Sequence, residues 1–152
     1  MGQVFTDKDT LAQAAAQAMW DADPATQKLG MVLEEVRSGY ARMSMVIREE
    51  MSNGHGTCHG GYIFTFADSA FAFACNSHNI NTVAQQCSIT YLAPGKLGER
   101  LSAEAVERSL AGRSGVYDVT IRNEQGQIIA EFRGNSRNIK GELVPGARLA
   151  DE

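Results

Sequence analysis

The alternation of polar and apolar positions changes texture along the chain. Asp7 to Ala22 is mostly Ala, Gln and Leu, which are good helix formers. Thr6 followed by Asp9 has the form of a capping box with Asp in place of Glu or Gln. This predicts a surface helix over 7–22 with a modest apolar face, stopped by Pro24. Met31, Val32, Leu33 and Val36 suggest a strand, with Ser38-Gly39 as the turn after it. From Tyr40 to Arg48 the pattern places Met43, Met45 and Ile47 on one face, as in a half-buried strand. Gly60 to Asn79 is different. It carries Phe64, Phe66, Phe71 and Phe73, and its apolar residues lie all round a helical wheel. This predicts a helix buried on every side. It is short of the ~20 apolar residues that cross a bilayer, and Asp68 interrupts it.

Four strand-like runs follow: Thr82–Leu92, Leu101–Leu110, Gly115–Asn123 and Ile128–Ile139. Glu124-Gln125-Gly126 reads as a hairpin turn between the last two. Residues 141–152 read as a loose tail. The order is one helix, two strands, an apolar helix and four strands, which predicts an α+β fold with an antiparallel sheet covering one helix. No repeat or linker interrupts it, so 1–152 is expected to be a single domain with its core at about 29–140.

Composition narrows the function classes. A chain of 152 residues with 43% apolar and 21% charged residues can build one real core, which excludes a disordered or fibrous chain. Lys plus Arg total 14 against 18 Asp plus Glu. That balance lacks the basic footprint of a nucleic-acid binder, so no nucleic acid is expected as a partner. Cys58, Cys75 and Cys87 are an odd, sparse set without a CxxC, which suits a reducing compartment. The start has no basic segment followed by an apolar one, so a cytoplasmic protein without membrane attachment is expected. Gly2 and Thr6 match a myristoylation pattern too short to outweigh chance.

Two features carry chemistry. The loop Asn53-Gly54-His55-Gly56-Thr57-Cys58-His59-Gly60-Gly61 is glycine-rich and leads into the apolar helix. Its reading as a plain glycine-turn connection has about equal weight on the loop alone. A helix starting near Gly60 leaves its first N–H groups unpaired, a positive end that can polarise a carbonyl or hold an anion. Asp68 sits two turns further on, where its wheel neighbours Gly61, Phe64, Thr65, Phe71, Ala72 and Cys75 include no cation. Desolvation there raises a carboxyl pKa and makes a competent general base. Hydrogen bonding to backbone, Thr65 or Ser69 would make the same residue merely structural.

Other motifs fail. There is no dinucleotide fingerprint, no Walker A and no nucleophile elbow. His55-x-x-Cys58 and Cys75-x-x-His78 have zinc-like spacing, but an intervening helix would separate them by about 25 Å, so no metal is expected.

Asn53-Gly54-His55, Cys58-His59-Gly60-Gly61 and Phe66-Ala67-Asp68-Ser69-Ala70 together resemble the hot-dog thioesterases of the phenylacetate-degradation type. Tyr91-Leu92-Ala93-Pro94-Gly95, Gly115-Val116-Tyr117-Asp118-Val119 and Phe132-Arg133-Gly134 fit as well, so the resemblance spans about Leu29 to Lys140. It implies a hot-dog fold: a curved antiparallel sheet wrapped around a long central helix, with a short N-terminal helix. It also implies a homodimer or homotetramer, with active sites at the dimer interface, that hydrolyses acyl-CoA thioesters. Phenylacetyl-CoA or hydroxylated aryl-acetyl-CoA would be the substrate, and no cofactor is implied. Gly60 and Gly61 would offer N–H groups to the thioester carbonyl. Asp68 of the facing subunit would activate water or attack the carbonyl. Asn53 would position water or substrate, Ser69 would hydrogen-bond, and His59 would shape the loop. Phe64 would line the acyl pocket, and Arg133 and Arg137, with Arg108, Arg113 and Lys140 nearby in sequence, are candidates for the CoA phosphates. A hot-dog hydratase or dehydratase, supported by His55 and His59, and a non-catalytic acyl-CoA-binding protein are the alternatives.

Overall fold

A computed structural model describes residues 2–152. Asp7 starts α1 (Lys8–Asp21): its Oδ1 accepts the Thr10 N–H at 2.8 Å, so Asp7 is the cap and the Thr6–Asp9 capping box does not form. Asp9 instead accepts the Ser38 N–H. Buried Ala12, Ala15 and Ala16 let the helix lie close to the body. Pro24 does more than stop this helix. It opens a second one, α2 (Pro24–Lys28), where its fixed φ and missing N–H fit the first turn and Asp23 supplies the cap.

Two hairpin strands follow, β2 (Val32–Arg37) and β3 (Tyr40–Val46), with Gly39 at φ +73 in the turn. The central helix α3 (Gly60–Cys75) is followed by a 3-10 turn over Asn76–His78, so the expected helix over 60–79 ends four residues early. The Asn76 side chain explains the stop. It donates to Ala72 C=O and Thr82 C=O and accepts the Thr82 N–H, tying the helix end to the next strand.

The rest of the sheet is β4 (Thr82–Tyr91), β5 (Arg100–Ala111), β6 (Ser114–Arg122) and β7 (Ile128–Asn138). All six strands pair antiparallel in the order β2-β3-β5-β6-β7-β4, with β2 and β4 at the edges. The α+β reading holds, and this is the hot-dog architecture.

Alternation decides which face packs. Ala41, Met43 and Met45 of β3, Leu101, Ala103 and Ala105 of β5, and Tyr117, Val119 and Ile121 of β6 are all buried. Alanines opposite each other, Ala41 against Ala105, leave room beside the sheet for Phe66, Phe71 and Phe73 of α3. Phe71 meets Tyr117 edge-on with centroids 5.5 Å apart.

Two expectations are corrected. The helix is not buried all round: Gly61 is exposed, and Thr65, Asp68 and Ala72 are half-buried, forming an open stripe. Nor is the C-terminal segment loose. β8 (Arg148–Leu149) pairs parallel with β1 (Val4–Phe5). Buried Asn79, at φ 62, accepts the Val144 N–H at 2.8 Å and donates to Val144 C=O at 3.0 Å. No helix among the described residues is long and apolar enough to cross a membrane.

Candidate active site

The glycine-rich loop is folded, not slack. Asn53 Oδ1 accepts the His55 and Thr57 N–H groups and the Thr57 hydroxyl, an arrangement only a short amide or carboxylate side chain can make. Gly56 takes φ +74 at the tip. The Cys58 N–H donates to Gly95 C=O at 2.7 Å and the His59 N–H to Met51 C=O at 2.7 Å, so the end of the loop is pinned where α3 starts.

His59 caps α3. Its Nδ1 accepts the Gly61 N–H at 3.2 Å, which places the proton of a neutral imidazole on Nε2. The two glycines expected to offer N–H groups are therefore not equivalent: that of Gly61 is engaged, whereas among the described residues nothing accepts that of Gly60. Tyr91 fixes Gly60 from the other side, donating its hydroxyl to Gly60 C=O at 2.8 Å. A Cβ at position 60 would lie 3.0 Å from the Tyr91 ring, which is why glycine stands there. Cys58, Gly60, Ile63, Tyr91 and Pro94 border an open cavity of about 430 Å³ at this helix end.

Asp68 lies on the open stripe of α3. No described residue hydrogen-bonds or ion-pairs with its carboxylate. Burial pushes its carboxyl up from the ordinary 3.8, and the negative charge of Asp23 adds to the effect. Ser69 turns away to α2, where its Oγ lies 2.9 Å from Thr26 Oγ1. Burial pushes Cys75 up to about 12 and Cys58 up to about 11, so both thiols stay neutral. His78 does not cap the helix; its Nε2 meets Glu107 Oε1 at 2.6 Å. The two zinc-like pairs sit at opposite ends of α3.

Phe64 packs edge-on against Phe132 beside the stripe, at 5.4 Å between centroids. Arg133 and Arg137 lie on the opposite face of the sheet from α3, alternating with buried Phe132, Gly134 and Ser136. Arg133 grips Asp118 with two hydrogen bonds of 2.7 and 2.9 Å, and Arg108 adds a third. These bonds hold the Asp118 carboxyl below its usual range against the effect of burial. Arg137 has no ion pair among the described residues.

The model of the thioesterase superfamily matches residues 55–130. The chain is 41% identical over 129 residues to the acyl-coenzyme A thioesterase PaaI of Escherichia coli (strain K12), covering 85% of this chain and 92% of that relative. The solved structure of the E. coli PaaI protein from the phenylacetic acid degradation operon superposes with a TM-score of 0.88 at 40% identity, covering 90% of this chain and 99% of that one. A protein of Streptococcus mutans UA159, smu.793, solved bound to acetyl CoA, superposes at 0.71 with 27% identity, covering 74% and 90%. The chain belongs to the thioesterase superfamily.

In this hot-dog thioesterase, sequence reasoning singled out Gly60 and Asp68 but passed over their neighbours. Tyr91 counted only as part of a motif, and Asp23 and Thr26 were not considered. The signal for Asp23 was local: Asp-Pro-x-Thr is a cap followed by proline at the first helical position. What it could not reveal is that α2 lies against the middle of α3.

Proposed function

We propose that this thioesterase hydrolyses thioesters of coenzyme A, with an aryl-acetyl group such as phenylacetyl as acyl part. The carrying observation is Asp68: a half-buried carboxylate without a partner among the described residues, held above its ordinary pKa on an open stripe beside Phe64. A structural aspartate in such a helix would be hydrogen-bonded. A partly desolvated, unpaired carboxylate is a better base toward water than a free one, and the same group could attack a thioester carbon directly.

Gly60 N–H at the start of α3 is the donor for the thioester oxygen, where the helix end stabilises charge as it develops. Gly61 N–H serves through His59, by fixing the first turn. Asn53 shapes the loop that carries them. Eight residues of helix put Gly60 and Asp68 about 12 Å apart along the axis, too far to act on one carbonyl. The reading therefore pairs Gly60 of one subunit with Asp68 of a facing copy, in a dimer or a dimer of dimers. Phe64 contacts the acyl group. Arg137, with its charge uncommitted, suits a CoA phosphate better than Arg133, whose fork holds Asp118. The relatives' printed names and the acetyl-CoA bound to smu.793 support the ligand class. Three free cysteines suit a cytosolic setting.

The test is thiol release from a panel of aromatic and aliphatic acyl-CoAs, with Asp68→Asn alongside. Loss of about 10²–10⁴ in kcat is expected. A variant with wild-type kcat would refute the role of Asp68. Binding of acyl-CoA without thiol release would refute hydrolysis.

A further inference from the structure

The short helix α2 reaches the proposed site through a chain of hydroxyls. Asp23 Oδ1 accepts the Thr26 N–H at 3.1 Å, and Asp23 Oδ2 accepts the Thr26 hydroxyl at 2.6 Å. Thr26 Oγ1 lies 2.9 Å from Ser69 Oγ, and Thr26 is 1% exposed. Either oxygen of that last pair could donate on geometry alone, but the proton count decides. Thr26 has one hydroxyl proton, and the carboxylate takes it. Ser69 must then donate to Thr26, which leaves Ser69 Oγ with lone pairs only toward its other neighbours. Ser69 is next to Asp68 in α3, so the relay pins α2, and with it Asp23, against the turn that carries Asp68.

We propose that Asp23 is a positioning residue of this thioesterase: with Thr26 it ties α2 to Ser69, in the turn of α3 that carries Asp68, and so sets its own carboxylate against that of Asp68. The inference rests on the reading of Asp68 as the water-activating group and assigns the element that tunes it. The ionisable groups acting with Asp68 are Asp23 from α2, Cys75 from α3 and Cys87 from β4. Both thiols are pushed up by burial and stay neutral, so Asp23 is the charge that matters. It disfavours ionisation of Asp68 in the same direction as burial does.

Asp23→Asn separates this role from helix capping. Asn caps as well as Asp, so α2 persists. The amide nitrogen in place of Oδ2 would donate to Thr26, turning Thr26 into the donor toward Ser69 and freeing the Ser69 proton. The charge set against Asp68 is lost while the contact of Thr26 with Ser69 persists, which favours ionised Asp68. The experiment follows the Asp68 side-chain carboxyl by carbon NMR against pH in the wild type, Asp23→Asn and Thr26→Ser, without substrate. Asp68 is expected to titrate at lower pH in Asp23→Asn, and the acid limb of kcat for phenylacetyl-CoA to move the same way. Thr26→Ser, which keeps the relay, should leave both unmoved. Identical Asp68 titration in Asp23→Asn and wild type would overturn the proposal and leave Asp23 as a cap. Wild-type kcat in Asp68→Asn would overturn the catalytic reading instead, without touching the titration result.

Discussion

Gly134→Ala tests how tightly the central helix is held against the sheet. Gly134 sits in β7 opposite Cys87 of β4 and Tyr117 of β6. A Cβ there would stand 2.6 Å from Phe71 Cε2 and 2.7 Å from both Cδ2 and Cζ. Carbon atoms settle at about 3.5–4.0 Å, so the ring would have to retreat by about 1 Å. It has nowhere to go: Phe71 is 1% exposed and is backed by Tyr117 at 5.5 Å and Phe132 at 5.9 Å. Overpacking of this kind costs about 1–3 kcal/mol, and replacing glycine within a strand returns about 0.5–1 kcal/mol. The net loss is about 1–2 kcal/mol, which for a domain of this size lowers Tm by about 2–8 °C. Thermal melting followed by circular dichroism reads it directly. Gly54→Ala, where a Cβ meets nothing within 4 Å, is the control. Phe71→Leu makes room, so the double variant should lose less than the sum of the two singles. An unchanged or higher Tm for Gly134→Ala would refute the packing argument.

Gly60→Ala brings a Cβ to 3.0 Å from Tyr91 and tilts the start of α3, so thioester turnover should fall by about 10²-fold with little loss of stability. Equal activity would overturn the argument that a Cβ here displaces the helix start. Asp68 has a folded-state pKa raised above 3.8, so its ionised form is the disfavoured one in the native state. Asp68→Asn should therefore match the wild type in stability below pH 3.8 and exceed it once the pH passes the raised folded value. Urea unfolding at pH 3 and pH 7 checks this, and a variant less stable than the wild type at pH 7 would contradict it. Asn79→Ala loses both bonds to Val144 and puts alanine, which tolerates the left-handed region less well than asparagine, at φ 62, costing about 2–3 kcal/mol. Limited proteolysis should then cut within 141–152 first, and an intact tail would argue against the clamp.

Strands were legible where one face is buried and the other is not. β6 alternates along nearly its whole length because every second residue meets α3. Gly60 and Asp68 were legible because glycine at a helix start and a carboxylate in an apolar helix each violate local expectation. The wheel misled at the stripe of Gly61, Thr65, Asp68 and Ala72, because alanine and glycine read as buried wherever they fall. The tail misled for the opposite reason. Its docking depends on two strand residues and one asparagine 65 positions away, and no periodicity marks such contacts. Asp23 escaped because its bonds to Thr26 are local, whereas Ser69, which Thr26 meets, lies 43 residues further on.

The two sheet edges argue for where a second copy belongs in the proposed assembly. Exposed strand edges invite pairing, and chains that stay single blunt them with charge, proline or brevity. β2 follows that rule: it has six residues, with Glu34, Glu35 and Arg37 among them. β4 does not. It runs ten residues, TVAQQCSITY, without a charge or a proline, and Val83 and Tyr91 lie about half exposed along it. Its inward side brings Cys87 close enough to Asp68 to feel its charge, and its end carries Tyr91, which holds Gly60. One uncharged edge thus runs past both halves of a site that a single helix keeps about 12 Å apart. A copy seated along β4 would cover the edge and supply the missing half in one contact. Selection for turnover and selection against open edges would then act on the same ten residues, which accounts for an edge strand that carries none of the usual protection.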